Sequence, residues 1–203
     1  MIGYDRLGTN WTMKTLQEIL KEHNLNITTN PKYGTDKGDP KTFIDGFYQE
    51  KFEPLRNKKL TLVEIGVRSG ASLKLWKEFF SKRATIIGID NFQDFNDNQT
   101  PYDEEWLSDG VQFIDADGYT QETVDKIDGG IDILIDDGPH TPQSHQKLLE
   151  LYLPKMNKGG YVIIEDISYN PDIIFSYVPE ELQDDAYVCD FGGYDDRLII
   201  IPT

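Results

Sequence analysis

Leu62-Val63-Glu64-Ile65-Gly66-Val67-Arg68-Ser69-Gly70-Ala71-Ser72-Leu73-Lys74-Leu75 is the stretch on which the fold of this chain turns. Its first four residues form a short apolar run with the character of a strand buried on both faces. Gly66 and Gly70 follow, with Ser69 between them, and then Leu73, Trp76, Phe79 and Phe80 recur at helical spacing on one face. A strand, a glycine turn and a helix in that order aim backbone N–H groups and the positive end of the helix at a ligand. The spacing is GxxxG with an acid two residues ahead of the first glycine, not the GxGxxG of a dinucleotide fingerprint.

Downstream the pattern repeats. Apolar runs at 61–65, 85–89, 111–114, 131–135 and 161–164 alternate with helical segments near 72–82, 119–127 and 142–153. Alternation of this length predicts an α/β fold, a doubly wound and mostly parallel sheet. The end breaks the rhythm. A helix near 172–182 leads to runs at 186–191 and 197–201, joined by Gly192-Gly193-Tyr194-Asp195-Asp196. So short a link cannot carry a parallel crossover, which needs a dozen or more residues. The last two strands are therefore expected to form a C-terminal antiparallel hairpin. Ahead of the core, Leu16, Ile19 and Leu20 mark a helix over 12–23 behind an Asn10 or Thr12 cap. A turn-rich segment over 30–40 precedes a second helix over 42–56, with Phe43, Ile44, Phe47 and Leu55 inward. The expected organisation is one domain, with 1–58 a helical N-terminal cap or lid and 59–203 the α/β core.

Composition bounds the partners. The chain has 203 residues, 38% of them hydrophobic, and a formal charge of −16. Phosphate binding needs clustered Lys and Arg, so nucleic acid and an anionic membrane surface are both disfavoured. No apolar run approaches the roughly 18 residues of a membrane span. The first residues lack a charged-then-apolar leader, and a single cysteine, Cys189, excludes an intrachain disulfide and a cysteine-built zinc cage. A cytoplasmic setting and a small-molecule partner are expected, and a homo-oligomer is compatible with everything in the sequence.

Ligands of an open parallel sheet bind beyond the carboxyl ends of its strands, and several strands here end in acids. Asp90 closes the second predicted core strand, about 20 residues past the glycine loop, where an acid accepts bonds from ribose hydroxyls. Asp115 and Asp117 close the third. The fourth and fifth end in Ile135-Asp136-Asp137-Gly138-Pro139-His140 and Ile164-Glu165-Asp166-Ile167. If those two strands are neighbours, about 4.8 Å apart, then Asp137, Glu165 and Asp166 converge. Carboxylates so close repel, and a hard divalent cation removes the penalty; oxygen ligands suit magnesium, manganese or calcium rather than zinc. His140, just before a helix opening at Thr141-Pro142, then becomes a candidate general base. His145 falls further along that helix and is expected to face elsewhere.

The segment Glu64-Ile65-Gly66-Val67-Arg68-Ser69-Gly70 resembles the first motif of class I S-adenosylmethionine (SAM) methyltransferases, E/D-x-G-x-x-x-G. With Gly34-Thr35-Asp36-Lys37-Gly38, Ile87-Gly88-Ile89-Asp90, Asp136-Asp137-Gly138-Pro139-His140 and Gly159-Gly160-Tyr161-Val162-Ile163-Ile164-Glu165-Asp166, the chain resembles a narrower family. These are the metal-dependent sugar O-methyltransferases of macrolide biosynthesis, of the mycinamicin and macrocin type, with their cephalosporin-hydroxylase-like relatives. Here DDGSH of that family reads DDGPH, and Lys41, Thr42 and Phe43 stand where it has a histidine soon after GTDK.

The resemblance implies a Rossmann-like methyltransferase core and a SAM- and Mg²⁺-dependent O-methyltransferase acting on a hydroxyl of a sugar or glycosylated small molecule. It places Asp137, Glu165 and Asp166 on the metal and His140, with Asp137, in catalysis. Glu64, Gly66, Ser69, Gly70, Asp90, Asp117 and Asp136 fall to the SAM pocket. Asp117 takes the adenine position with Asp115 as the alternative, and Thr35-Asp36-Lys37 lies near the cofactor. Two other readings stay open: a catechol-type O-methyltransferase with Tyr169, Phe175 and Tyr177 as pocket walls, and a non-catalytic SAM- or nucleotide-binding module. Loops at 92–107 and 168–179 are expected to set the acceptor.

Overall fold

The computed structural model describes residues 2–4, 10–93 and 110–203. Its centre is a seven-stranded sheet of order β5-β4-β3-β6-β7-β9-β8. The strands are β3 (Thr61–Ile65), β4 (Thr85–Asp90), β5 (Gln112–Asp115), β6 (Ile131–Asp136), β7 (Met156–Ile164), β8 (Tyr187–Asp190) and β9 (Arg197–Pro202). The first five pair in parallel, and β9 runs antiparallel between β7 and β8. The doubly wound sheet with its C-terminal antiparallel hairpin is thus observed. β9 inserts beside β7, which leaves β8 at the edge.

Strand parity divides the interior into two cores. Leu62, Ile133, Ile135, Ile163 and Ile200 face one side, packed under α1 (Leu16–Glu22), the segment Phe43–Phe52 and α3 (Ala71–Phe79). Val63, Ile65, Leu134, Val162, Ile164 and Ile201 face the other, under Val124 of the helix Gln121–Asp125 and Leu148, Leu149 and Tyr152 of the helix Pro142–Tyr152. Both faces are covered, which is why the central strands read as continuous apolar runs rather than alternating ones. Glu64 has the parity of Leu62 and so points into the first core, not toward the carboxyl edge.

Local differences from the sequence expectation have physical causes. An antiparallel pair, β1 (Ile2–Tyr4) with β2 (Asn10–Thr12), precedes α1. Thr15, not Asn10 or Thr12, caps α1, closing a reciprocal box with Glu18. The second preface helix is a π-turn (Ile44–Tyr48) running into α2 (Gln49–Phe52) and a 3₁₀ turn that carries Pro54. The helix expected over 172–182 divides into Asp172–Phe175 and Glu180–Gln183, with extended Pro179 capping the second piece. β7 begins five residues earlier than its apolar run, because Gly159 and Gly160 bend it without ending it. Of the acceptor loop expected over 92–107, residues 94–109 lie outside those described. Among the described residues no helix is long and apolar enough to cross a membrane.

The parallel ladder continues past the strand tips. Gly66 N–H donates to Ile89 O at 3.0 Å, Asp137 N–H to Ile65 O at 2.8 Å, and Glu165 N–H to Asp136 O at 2.9 Å. These bonds hold the four tips of β4, β3, β6 and β7 in step at the carboxyl edge. Gly66 has φ +86°, and a Cβ there would land on the Asp137 carbonyl oxygen and the Gly138 nitrogen. No side chain fits. Gly66→Ala is expected to cost roughly 2–4 kcal/mol, from backbone strain plus steric displacement of the β6 tip; thermal or urea unfolding measures it.

Candidate active site

At the carboxyl edge lies a cavity of about 730 Å³. Its wall includes Gly66, Asp90, Asp117, Asp137, His140 and Asp166. Asp90 Oδ2 accepts from the Val67 and Arg68 amides at 2.8 and 2.9 Å, and Oδ1 from the Phe92 amide at 2.7 Å. It thereby ties the β4 tip to the glycine loop while facing the cavity. Asp117 Oδ1 accepts from the Tyr119 amide at 2.9 Å. Asp117, not Asp115, is on the wall.

Four residues expected at the cofactor are not on this wall. Glu64 is fully buried, accepts from Trp76 Nε1 at 2.9 Å and lies 3.3 Å from Lys37 Nζ, as its strand parity requires. Ser69 donates its hydroxyl to the Tyr33 carbonyl at 2.5 Å and lines a small neighbouring pocket of about 40 Å³. Gly70, at φ +88°, is the residue from which α3 starts. Asp136 is fully buried beneath the cavity and accepts the Tyr119 hydroxyl at 2.5 Å. Tyr169, Phe175 and Tyr177 pack against the second core and are likewise not among the described residues that line the cavity.

The strand-tip acids do converge, on two lysines the sequence did not assign to the cluster. Lys37 Nζ lies 2.7 Å from Asp137 Oδ2 and 2.8 Å from Glu165 Oε2, with its side chain wholly enclosed. The Tyr48 hydroxyl donates to the other Glu165 oxygen. Lys41 Nζ lies 2.9 Å from Asp166 Oδ1 and 3.1 Å from Asp195 Oδ2. The remaining oxygens face the cavity: Asp137 Oδ1 and Asp166 Oδ2 lie 3.8 and 3.9 Å from His140 Nε2. Asp137, His140 and Asp166 each offer a ligand atom within 4.8 Å of the others. His140 and Asp166 hold φ of 52° and 60°, values that non-glycine residues rarely adopt and that concentrate at functional sites. Two carboxylate oxygens opening on a cavity beside an imidazole nitrogen fit a divalent cation. Glu165 sits on the protein side of the same cluster, engaged by Lys37 and Tyr48.

Electrostatics follow from burial. Desolvation depresses the Lys37 ammonium, but Asp137, Glu165 and Glu64 outweigh it and hold its pKa well above the ordinary lysine value. Burial raises the Glu165 carboxyl; Lys37 pulls it down, while Asp137 and Asp166 push it up. Burial and Asp137 push Asp166 up to about 6. Behind the wall, Asp136 is also raised to about 6 by burial. His145 points at this layer: its Nδ1 is 2.5 Å from the Tyr169 hydroxyl and its Nε2 is 3.7 Å from Asp136 Oδ2. As expected from the sequence, His145 does not line the cavity; helical periodicity alone could not show that Asp136 faces down toward it.

With the geometry in view, the class is that of the Rossmann-like methyltransferases. A family model described as a methyltransferase domain matches residues 63–167, more than half of the chain, and the chain belongs to that family. Among curated relatives, it is 31% identical over 153 residues to 8-demethyl-8-alpha-L-rhamnosyl tetracenomycin-C 2'-O-methyltransferase of Streptomyces olivaceus, covering 69% of this chain and 37% of that one. It is 29% identical over 130 residues to mycinamicin VI 2''-O-methyltransferase of Micromonospora griseorubida, covering 59% and 30%. A solved structure of MycE methyltransferase in complex with Mg, SAH and mycinamycin VI superposes with a TM-score of 0.60 at 27% identity, over 82% of this chain and 43% of that one. The chain spans about a third of the length of these two curated relatives.

His145 supplies a pH test. Burial lowers its folded pKa from 6.5 to about 4, so between those values the unfolded chain takes up a proton that the folded chain refuses. Its contribution is therefore present above pH 6.5 and lost as pH falls toward 4, by about 3 kcal/mol in all. The stability difference between wild type and His145→Gln, measured by urea unfolding, should shift in favour of the variant across that window. A pH-independent difference would show that His145 titrates normally.

Proposed function

We propose that this chain transfers a methyl group from SAM to a hydroxyl of a sugar or glycosylated small molecule, with dependence on Mg²⁺ or another oxygen-preferring divalent cation. The observation that carries this is the meeting of Asp137, His140 and Asp166 on the wall of the cavity that the glycine loop, Asp90 and Asp117 also line. The relatives support it: one is the 2'-O-methyltransferase of a rhamnosyl tetracenomycin, another the 2''-O-methyltransferase of mycinamicin VI, and the MycE structure holds Mg and SAH.

In this reading Asp90 and Asp117 hold the ribose and adenine ends of SAM, as acids at the second and third strand tips do in this fold class. Asp137 and Asp166 hold the ion through the oxygens that face the cavity, and Glu165 is the third proposed ligand. Bound there, SAM supplies an electrophilic sulfonium methyl, and the ion makes a nearby hydroxyl more acidic. His140 accepts the hydroxyl proton at Nε2. Among the described residues its buried Nδ1 has no hydrogen-bond partner, which leaves Nε2, toward the two carboxylates, as the working edge of the ring. Asp137 orients that edge; the oxygen freed of its proton would take the methyl as the sulfonium S–CH3 bond breaks, with S-adenosylhomocysteine as the leaving group.

Mass analysis of products after incubation with SAM, Mg²⁺ and a panel of glycosides and catechols tests the activity. Methylation of a glycoside, abolished by EDTA and restored by Mg²⁺, is the expected result. His140→Ala should bind SAM as wild type does while turnover falls by about 10²–10⁴-fold. SAM binding without any metal-dependent product would instead identify a binding module, and product from catechols alone would move the acceptor class.

A further inference from the structure

The acid cluster holds more carboxylates than a divalent ion needs, and the excess is placed around the lysines. Lys37 and Lys41 come from one short segment, turned so that the Lys41 amide donates to Asp36 O at 3.2 Å and the Ile44 amide to Lys37 O at 3.0 Å. Lys37 is fully enclosed and spans Glu64, Asp137 and Glu165, so it has no path outward. Lys41 differs. Its side chain keeps 8% exposure, and its ammonium sits between Asp166 Oδ1 at 2.9 Å and the β8–β9 turn, with Asp195 Oδ2 at 3.1 Å and Asp196 Oδ1 at 3.6 Å. Asp195 is the most exposed member of this group, on a turn at the same end of the sheet as the cavity. Lys41 thus has two seats within reach of one ammonium: one on a carboxylate proposed to hold the ion, one on a turn that does not line the cavity.

We propose that Lys41 is an exchangeable counter-cation of the ion site, neutralising Asp166 in the ion-free protein and passing wholly to Asp195 and Asp196 when a divalent ion takes Asp166. The inference rests on the metal-dependent reading above. Its physical basis is that an ammonium and a divalent ion on one carboxylate repel each other strongly at the short separations involved, in a partly buried setting. Moving the ammonium to a second acid pair relieves that repulsion without stranding a buried charge. Lys41 is accordingly a positioning residue, and the two aspartates of the turn are its receiving site.

The test is binding of Mn²⁺ alone to the full chain, followed by electron paramagnetic resonance of the free ion, with thermal melts to confirm that each variant folds. Lys41→Met should bind Mn²⁺ about tenfold more tightly than wild type, since the competing charge is gone. Asp195→Asn/Asp196→Asn should bind several-fold more weakly, because Lys41 is then confined to Asp166. In the Lys41→Met background the same two asparagines should have little effect. That loss of coupling separates an exchange from a general charge effect, which would persist in both backgrounds. Weaker Mn²⁺ binding by Lys41→Met, or an unchanged effect of the asparagines in its background, overturns the proposal. If Lys41→Met fails to fold, tighter or unchanged binding by Asp195→Asn/Asp196→Asn overturns it alone. Binding by Lys41→Met but not by wild type would uphold the competition and overturn metal dependence for the native chain. Binding by neither would overturn both.

Discussion

The Lys37 ammonium, enclosed among Glu64, Asp137 and Glu165, is the interaction on which the carboxyl edge of this sheet depends. A parallel sheet brings the tips of β3, β6 and β7 together by hydrogen bonding alone, and here each tip or near-tip carries an acid. Without an enclosed cation these charges would repel and take up protons. Breaking such a buried pair by removing one partner typically costs about 3–5 kcal/mol, because the opposite charge is left uncompensated. The N-terminal segment therefore supplies the charge that lets the sheet end in acids.

This arrangement also orients what remains. Lys37 holds Asp137 by Oδ2 and, in the ion-free protein, Lys41 holds Asp166 by Oδ1, so the opposite oxygens turn to the cavity and toward His140 Nε2. A lower layer, in which Tyr119 and His145 flank Asp136 and Tyr169 bonds His145, fixes the β6 tip from beneath. Two layers of polar groups, one committed to structure and one facing space, are what a precise ligand set requires. The positive φ of His140 and Asp166 belongs to the same account: strained backbone persists where its surroundings dictate it.

Much of this was legible in the sequence, and the limits have a common cause. The doubly wound sheet and its terminal hairpin followed from apolar runs and one short link, and the gathering of Asp137, Glu165 and Asp166 from the rule that ligands sit at strand ends, on the condition that two of those strands are neighbours. What escaped were facts of parity and long-range packing. Glu64 reads as a strand-end acid until the period of two turns it inward. Lys37 is separated from Asp137 and Glu165 by a hundred residues or more, and no local pattern marks a lysine for burial. His145 does face away from the cavity, as expected, but its partner, Asp136, points beneath the cavity rather than into it, and nothing local marks that pairing. Membership of the methyltransferase family agrees with the glycine loop, while the chain's share of its relatives' length leaves the acceptor to experiment.

The most direct measurement of the central claim is anomalous diffraction from crystals of the chain soaked in Mn²⁺. One strong peak on Asp137 Oδ1 and Asp166 Oδ2 with Glu165 as the third ligand, beside the His140 ring and with Lys37 still enclosed behind it, is the predicted result. A peak elsewhere, or none with these three side chains turned apart, would contradict the account.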